Sequence, residues 1–355
     1  MQTLNPEGIW EDYGFSNLQR ELDKLFPEYD ISLNHLLEQL FAGDFLGSLT
    51  GLMQSGVTGL VGYWDSLKHI LIWLLILGIA SSLVTHFVEI FDKHQISDLS
   101  FFFLYLLFMT ILIKCFQETA QTAMMLLENI VVFMKLVIPT YMLAVGVASG
   151  VGTVSITYQV MLVLIYIVEH FLQNGILTFV QIYMFLVMMN GIWIEEKMAL
   201  IIALIKKGID TALKGAVGLV TGISVFQSMI TPAIQSVKTT VLQKVISAIP
   251  GIGNAAEGAM ELVLGTAVII KNSIGILCLL VLLTICAAPL VYMFVLSWVL
   301  RIAAAILGLV SDKRLTACTN QIGEACMMVC RTAFTSVLLF LISISVIALT
   351  TGKVI

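Results

Sequence analysis

The chain has 355 residues, 59% of them apolar and 12% charged, about half the charged share of a soluble globular domain, which excludes a water-surrounded single-core protein and points to hydrocarbon as its main solvent. Charge is uneven: residues 1–66 carry ten acidic side chains against Arg20 and Lys24, a net −8, while the remaining 16 basic and 13 acidic residues give +3. A segment at −8 repels nucleic acid and anionic headgroups, so no nucleic-acid partner is expected, and the front is expected beside the membrane or on a protein partner.

The front reads as two short amphipathic helices, LQRELDKLF and LNHLLEQLF, each following a serine suited to an N-cap (Ser16, Ser32) and separated by Pro27. Its first residues, MQTLNPEGIWEDYGF, have neither the basic nor the apolar region of a signal peptide. A glycine-rich stretch from Gly43 to Gly62 leads to the first apolar run, 67–91, long enough to cross about 30 Å of hydrocarbon. Runs at 99–116, 124–150, 155–172 and 174–194 bring the expected crossings to five, with Lys135 and a kink at Pro139 in the run 124–150.

The stretch EEKMALIIALIKKGIDTALKG then interrupts an apolar helix with Lys197, Lys206, Lys207 and Lys214, a pattern expected of a helix lying on the cytoplasmic surface. Lys313 and Arg314 of the SDKR run form a second basic cluster; with Lys206 and Lys207 they are the expected cytoplasmic anchors. An even number of crossings must separate the two clusters, yet three runs intervene, at 215–230, 258–287 and 290–310. The shortest, GAVGLVTGISVFQSMI, is followed by Thr231-Pro232 and an amphipathic stretch. It is read as part of a re-entrant, helix-broken hairpin over about 215–250. Irregular backbone at membrane depth needs protein or water around it, which places Pro232, Pro250, Gly251 and Gly253 at an interior.

With a last run at 331–350, the expected fold class is all-α: a polytopic helical membrane protein of about eight transmembrane helices plus this re-entrant or amphipathic hairpin. Residues 1–66 form an acidic extracytoplasmic segment and 67–355 the multi-pass domain, with both termini outside and Lys93 inside. Export of such a front calls for a cleavable signal, so a trimmed or misassigned start, or the inverted orientation, is expected.

Charged side chains inside apolar runs cost about 2.5 to 3.5 kcal/mol each on insertion scales, so they face protein or water. Lys271-Asn272, Glu169, Lys135 and Arg301 are the candidates for an interior pathway or for helix packing. For Lys271 the competing reading is snorkelling from a span that begins near Ser273. The six cysteines lie in or beside apolar stretches without C-x-x-C spacing and read as small packing residues. His86, His94, Glu89 and Asp92 do not share one helical face, so no metal site is expected. The PGIGN run lacks the third glycine and the lysine of a phosphate loop, and no nucleophile motif occurs, so neither a cofactor nor enzymatic chemistry is indicated.

Four stretches in order, 215–249, PGIGNAAEG (250–258), GTAVIIKNSIG (265–275) and SDKR (311–314), resemble the stage III sporulation protein AE family of endospore-forming bacteria. The resemblance is most specific over about 195–345. It implies a multi-pass protein of the mother-cell membrane that engulfs the forespore, acting with the other products of the stage III sporulation A operon in a transenvelope channel or feeding-tube complex. It further implies a separate ATPase partner and no catalytic residues, and self-association of the chain is a further expectation. Two alternatives stand beside it: a stand-alone secondary transporter with a polar site near Lys271 and Glu169, and a purely structural membrane scaffold.

Overall fold

A computed structural model describes residues 15–25, 32–41, 67–83, 94–149, 163–164, 166–192, 197–222, 253–309 and 311–350. The described residues form no strand, as hydrocarbon demands of open-ended backbone: a helix satisfies its own N–H and C=O groups. Two short helices, α1 (Phe15–Leu25) and α2 (Leu33–Phe41), come first. They are followed by α3 (Leu67–Leu83), α4 (His94–Ser149), α5 (Tyr166–Ile192), α6 (199–222), α7 (Gly253–Leu307) and α8 (Lys313–Thr350). Four stretches, Phe102–Pro139, Tyr166–Ile192, Ser273–Leu307 and Lys313–Ile344, are long and apolar enough to cross a membrane.

Among the described residues, three of the breaks between neighbouring apolar runs are helical, so about eight separate spans is not confirmed. α4 continues through Gln117–Ala123, joining the runs 99–116 and 124–150 in one helix of 56 residues. α7 joins 258–287 to 290–310 in 55 residues, with Pro289 inside it. In α5 the polar Gln173-Asn174-Gly175 does not turn the chain. It forms a π-helical turn over Phe171–Ile176, the Leu177 N–H donating to the Leu172 carbonyl, so the extra residue is absorbed without breaking the axis.

The helices run up and down against α8. α7 and α8 are an antiparallel hairpin across the turn at 308–312, with Ser297 Oγ donating to the Gly323 carbonyl (2.7 Å) and Cys330 Sγ to the Leu290 carbonyl (3.7 Å). α4 lies parallel to α8: the Tyr105 hydroxyl donates to the Met188 carbonyl (2.8 Å) and meets Cys318 Sγ (3.5 Å), and one turn pair further Thr119 Oγ1 meets Cys326 Sγ (3.5 Å). α3 ends beside the hairpin turn, where Ser311 Oγ donates to the Gly78 carbonyl at 2.9 Å. Of the front, the described helices pack on the bundle, α1 on α4 and α2 on α7, with Leu22, Leu33 and Leu36 buried. Gln19 Oε1 accepts from the Leu33 N–H at 2.8 Å and so ties α1 to the start of α2.

Glycines mark two of the closest approaches. A Cβ at Gly323 would sit 3.1 Å from Arg301 Cγ and 3.2 Å from Leu300 Cβ, and one at Gly191 would collide with the Tyr105 hydroxyl. Gly208, by contrast, has open space around it. Gly191→Ala is therefore expected to destabilise the detergent-solubilised chain by about 1–3 kcal/mol through overpacking. Gly208→Ala should leave its melting temperature unchanged or raise it; equal melting of the two variants would refute the close packing of α4 on α5.

Candidate functional site

The same hairpin that needs a glycine at 323 puts a carboxylate at 324, one residue round α8. Glu324 is half-buried and collects partners from two other helices: the Tyr183 hydroxyl of α5 donates to Oε2 at 3.2 Å, and Lys206 of α6 pairs with Oε1. Arg301 of α7 lies against the other side of Gly323, and its charge acts on Tyr183. Its Nε is buried and has no hydrogen-bond partner among the described residues. Tyr183 of α5 and Lys206 of α6 thus meet at Glu324 of α8, with Arg301 of α7 packed at the neighbouring Gly323.

A second pair lies two turns along α8, where Arg331 donates to Asp210 of α6 at 3.3 Å. On α6 the paired residues are four apart and on α8 seven apart, in the same direction. α6 therefore runs with α8 and against α5, to which Asn190 Oδ1 ties it by accepting the Met198 N–H at 3.0 Å. Its inner face is Ile202, Ile209, Leu213 and Val220, all buried. The helix read as lying on the membrane surface packs along α5 and α8, and Lys206, 40% exposed, pairs with Glu324. Glu118 and Tyr292 add a third polar contact at 3.2 Å between α4 and α7.

Of the other residues singled out from the sequence, Glu169 accepts from Gln173 Nε2 at 3.1 Å, and the charges of Lys135 and Glu128 both act on it. The structure thus brings Glu169 and Lys135 of α5 and α4 to a common level, apart from Arg301. Lys271 and Asn272 lie in α7, with side chains outside the described residues, and Gly253 is the first residue of that helix. Pro232, Pro250 and Gly251 lie outside the described residues, as does the re-entrant reading beyond 222, while α6 passes through Gly215 without a break. Lys207 is exposed on the outer face of α6. Lys313 is exposed at the start of α8, and Arg314 pairs with Asp312 (3.3 Å), which also accepts the Arg314 N–H at 2.8 Å.

Sequence reasoning missed Glu324, Asp210 and Arg331. Their signal was present as charges in apolar surroundings, Glu324 and Arg331 seven apart on one face, but a last span drawn from 331 left Glu324 outside the membrane. The six cysteines are buried and unbridged. Among the described residues no group of three or more His, Cys, Asp or Glu side chains converges as metal ligands would.

Reversing one member of the Lys206–Glu324 pair tests the layer. Lys206→Glu sets two carboxylates together and should lower the melting stability by at least about 1 kcal/mol, with most of that loss recovered in the double variant Lys206→Glu, Glu324→Lys. Additive losses in the double variant would show that the two side chains do not interact.

The family model described as stage III sporulation protein AE matches residues 31–351. No curated protein and no solved structure matches the chain. The match takes in α2 to α8 and with them every residue of the polar layer. The chain belongs to the stage III sporulation protein AE family, and its role lies in stage III sporulation.

Proposed function

We propose that the chain is a non-enzymatic, multi-pass membrane component on the mother-cell side of the sporulation transenvelope channel complex, required for late forespore development. The family match over 31–351 carries this reading. The four long apolar helices support the membrane part. Its partners are the other products of the stage III sporulation A operon, including a separate ATPase, together with membrane lipid and further copies of the chain.

In this reading α3 to α8 cross the membrane as six up-and-down helices rather than eight. The segments before α4 and α6 and the hairpin turn before α8 then share one end, which gathers Lys93, Lys197, Lys313 and Arg314. Lysine and arginine mark the cytoplasmic side, so the acidic front and the C-terminus face outward. Parity is kept with fewer crossings because α6 replaces the surface helix as a crossing arm. A cysteine at Ser311 should then label from the cytoplasm and one at Ser16 only from outside; labelling of both from one side would rule the arrangement out.

Loss of the gene should arrest sporulation after engulfment, with vegetative growth unaffected. Normal spore yield in the deletion strain would overturn the reading. The transporter alternative, with a polar site near Lys271 and Glu169, draws on the charges of Lys135 and Glu128 acting on Glu169. It predicts ion-coupled uptake by liposomes that contain this chain alone, abolished by Glu169→Gln.

A further inference from the structure

One hydroxyl of α8 is left without a bond at the level of the π-helical turn of α5. On α8, Thr319, Thr332 and Ser343 each donate to the carbonyl four residues back, at 2.8, 2.9 and 2.8 Å, which is how a helical hydroxyl is satisfied away from water. Ser336 does not: it is fully buried, and its Oγ has no hydrogen-bond partner among the described residues. A buried polar atom in that state calls for a partner the chain itself does not supply.

Two contacts set the level. Tyr105 meets both Met188 of α5 and Cys318 of α8, and Tyr183 meets Glu324, so the two helices are antiparallel and each step along α8 is a step back along α5. Ser336 stands twelve residues beyond Glu324, and Phe171, where the π-turn starts, stands twelve before Tyr183. α8 packs against that turn. The turn itself frees an acceptor: because the Leu177 N–H goes to the Leu172 carbonyl, the Gln173 carbonyl loses the donor that an α-helix would give it. Thr332, Thr335 and Ser336 stand at i, i+3 and i+4 of α8, on one face, and all three are buried.

Each of these groups offers an oxygen, and the charge beside them is negative. Glu169 stands just before the π-turn, and of the two charges that act on it Glu128 adds a carboxylate and Lys135 one ammonium. An all-oxygen set with one negative charge in excess suits a hard monovalent cation, and a helix interrupted at membrane depth supplies carbonyls for one. We propose that a sodium ion binds between α5 and α8, held by the Gln173 carbonyl and the hydroxyls of Ser336, Thr332 and Thr335, with its charge balanced by Glu169. Bound there, it gives the freed carbonyl and the unbonded hydroxyl a common partner and so locks the π-turn onto α8. Binding makes no demand on the channel reading, and spore yield is not its readout.

Sodium-dependent melting of the full-length chain in detergent tests the site. The native chain should melt about 2–4 °C higher in sodium chloride than in choline chloride of equal ionic strength, the matched strength cancelling any effect on the exposed ion pairs. Ser336→Ala removes a hydroxyl that no other described residue bonds, so the variant should fold and lose the difference between the two salts. Ser343→Ala, whose hydroxyl is satisfied within α8, should keep it. The proposal is overturned if the native chain melts alike in both salts, as it would with a buried water in place of the ion. It is overturned equally if the difference survives Ser336→Ala or is lost in Ser343→Ala. Should Ser336→Ala fail to fold, Thr332→Val decides by the same criterion.

Discussion

The contact at Gly323 is the constraint on which the bundle turns. With no side chain at that position, α7 comes close enough for Ser297 to bond the Gly323 carbonyl and for Leu300 and Arg301 to lie against the α8 backbone. Lipid supplies no hydrophobic drive for helices to associate, so close approach at small residues, with hydrogen bonds across the seam, has to supply it. α8 is accordingly the most buried of the four apolar spans, at 72%. α4, α5 and α6 are each placed by a contact with it: Thr119 at Cys326, Tyr183 at Glu324 and Asp210 at Arg331.

The polar layer follows from the same seam. A residue next to a helix-packing glycine cannot point into that contact, and Glu324 points instead between α5 and α6. Two ion pairs then become the means by which a helix carrying Lys206, Lys207 and Lys214 lies along apolar neighbours. Half-exposed pairs of this kind add little stability in water, but next to hydrocarbon the alternative for each charge is far worse. Their value is positional: four residues apart on α6 and seven on α8, they fix direction and rotation together, and Lys207 and Lys214 are turned outward as a result.

The helical class was legible because apolar length alone reports it. The number of helices was not, because a polar break in an apolar run has two structural outcomes that sequence does not separate. Gln117-Glu118-Thr119 falls between the runs 99–116 and 124–150, yet Glu118 accepts from Tyr292 of α7 and Thr119 is fully buried against Cys326. Gln173 falls between the runs 155–172 and 174–194 as well, and the chain there makes a π-helical turn within a continuous axis. Arg301 was picked out from its surroundings alone, and it does reach the layer. Glu324 was not, since its significance lies in Tyr183 and Lys206, which stand 141 and 118 residues away in sequence.

Merging the runs raises a problem of length that the front helices answer in part. At 1.5 Å per residue, the 56 residues of α4 span about 84 Å, and the hydrocarbon core is only about 30 Å thick. Tilt cannot reconcile the two, for even about 40° leaves more than 60 Å along the membrane normal. Much of α4 and of the equally long α7 therefore stands outside hydrocarbon, where an apolar surface needs protein against it. α1 on α4 and α2 on α7 provide such cover, burying Leu22, Leu33 and Leu36 while Asp23, Lys24 and Glu38 stay exposed. An acidic outer surface on an apolar inner one is what a helix pair needs to bridge these shafts to water, so the front's charge serves the bundle's own architecture before any partner is considered.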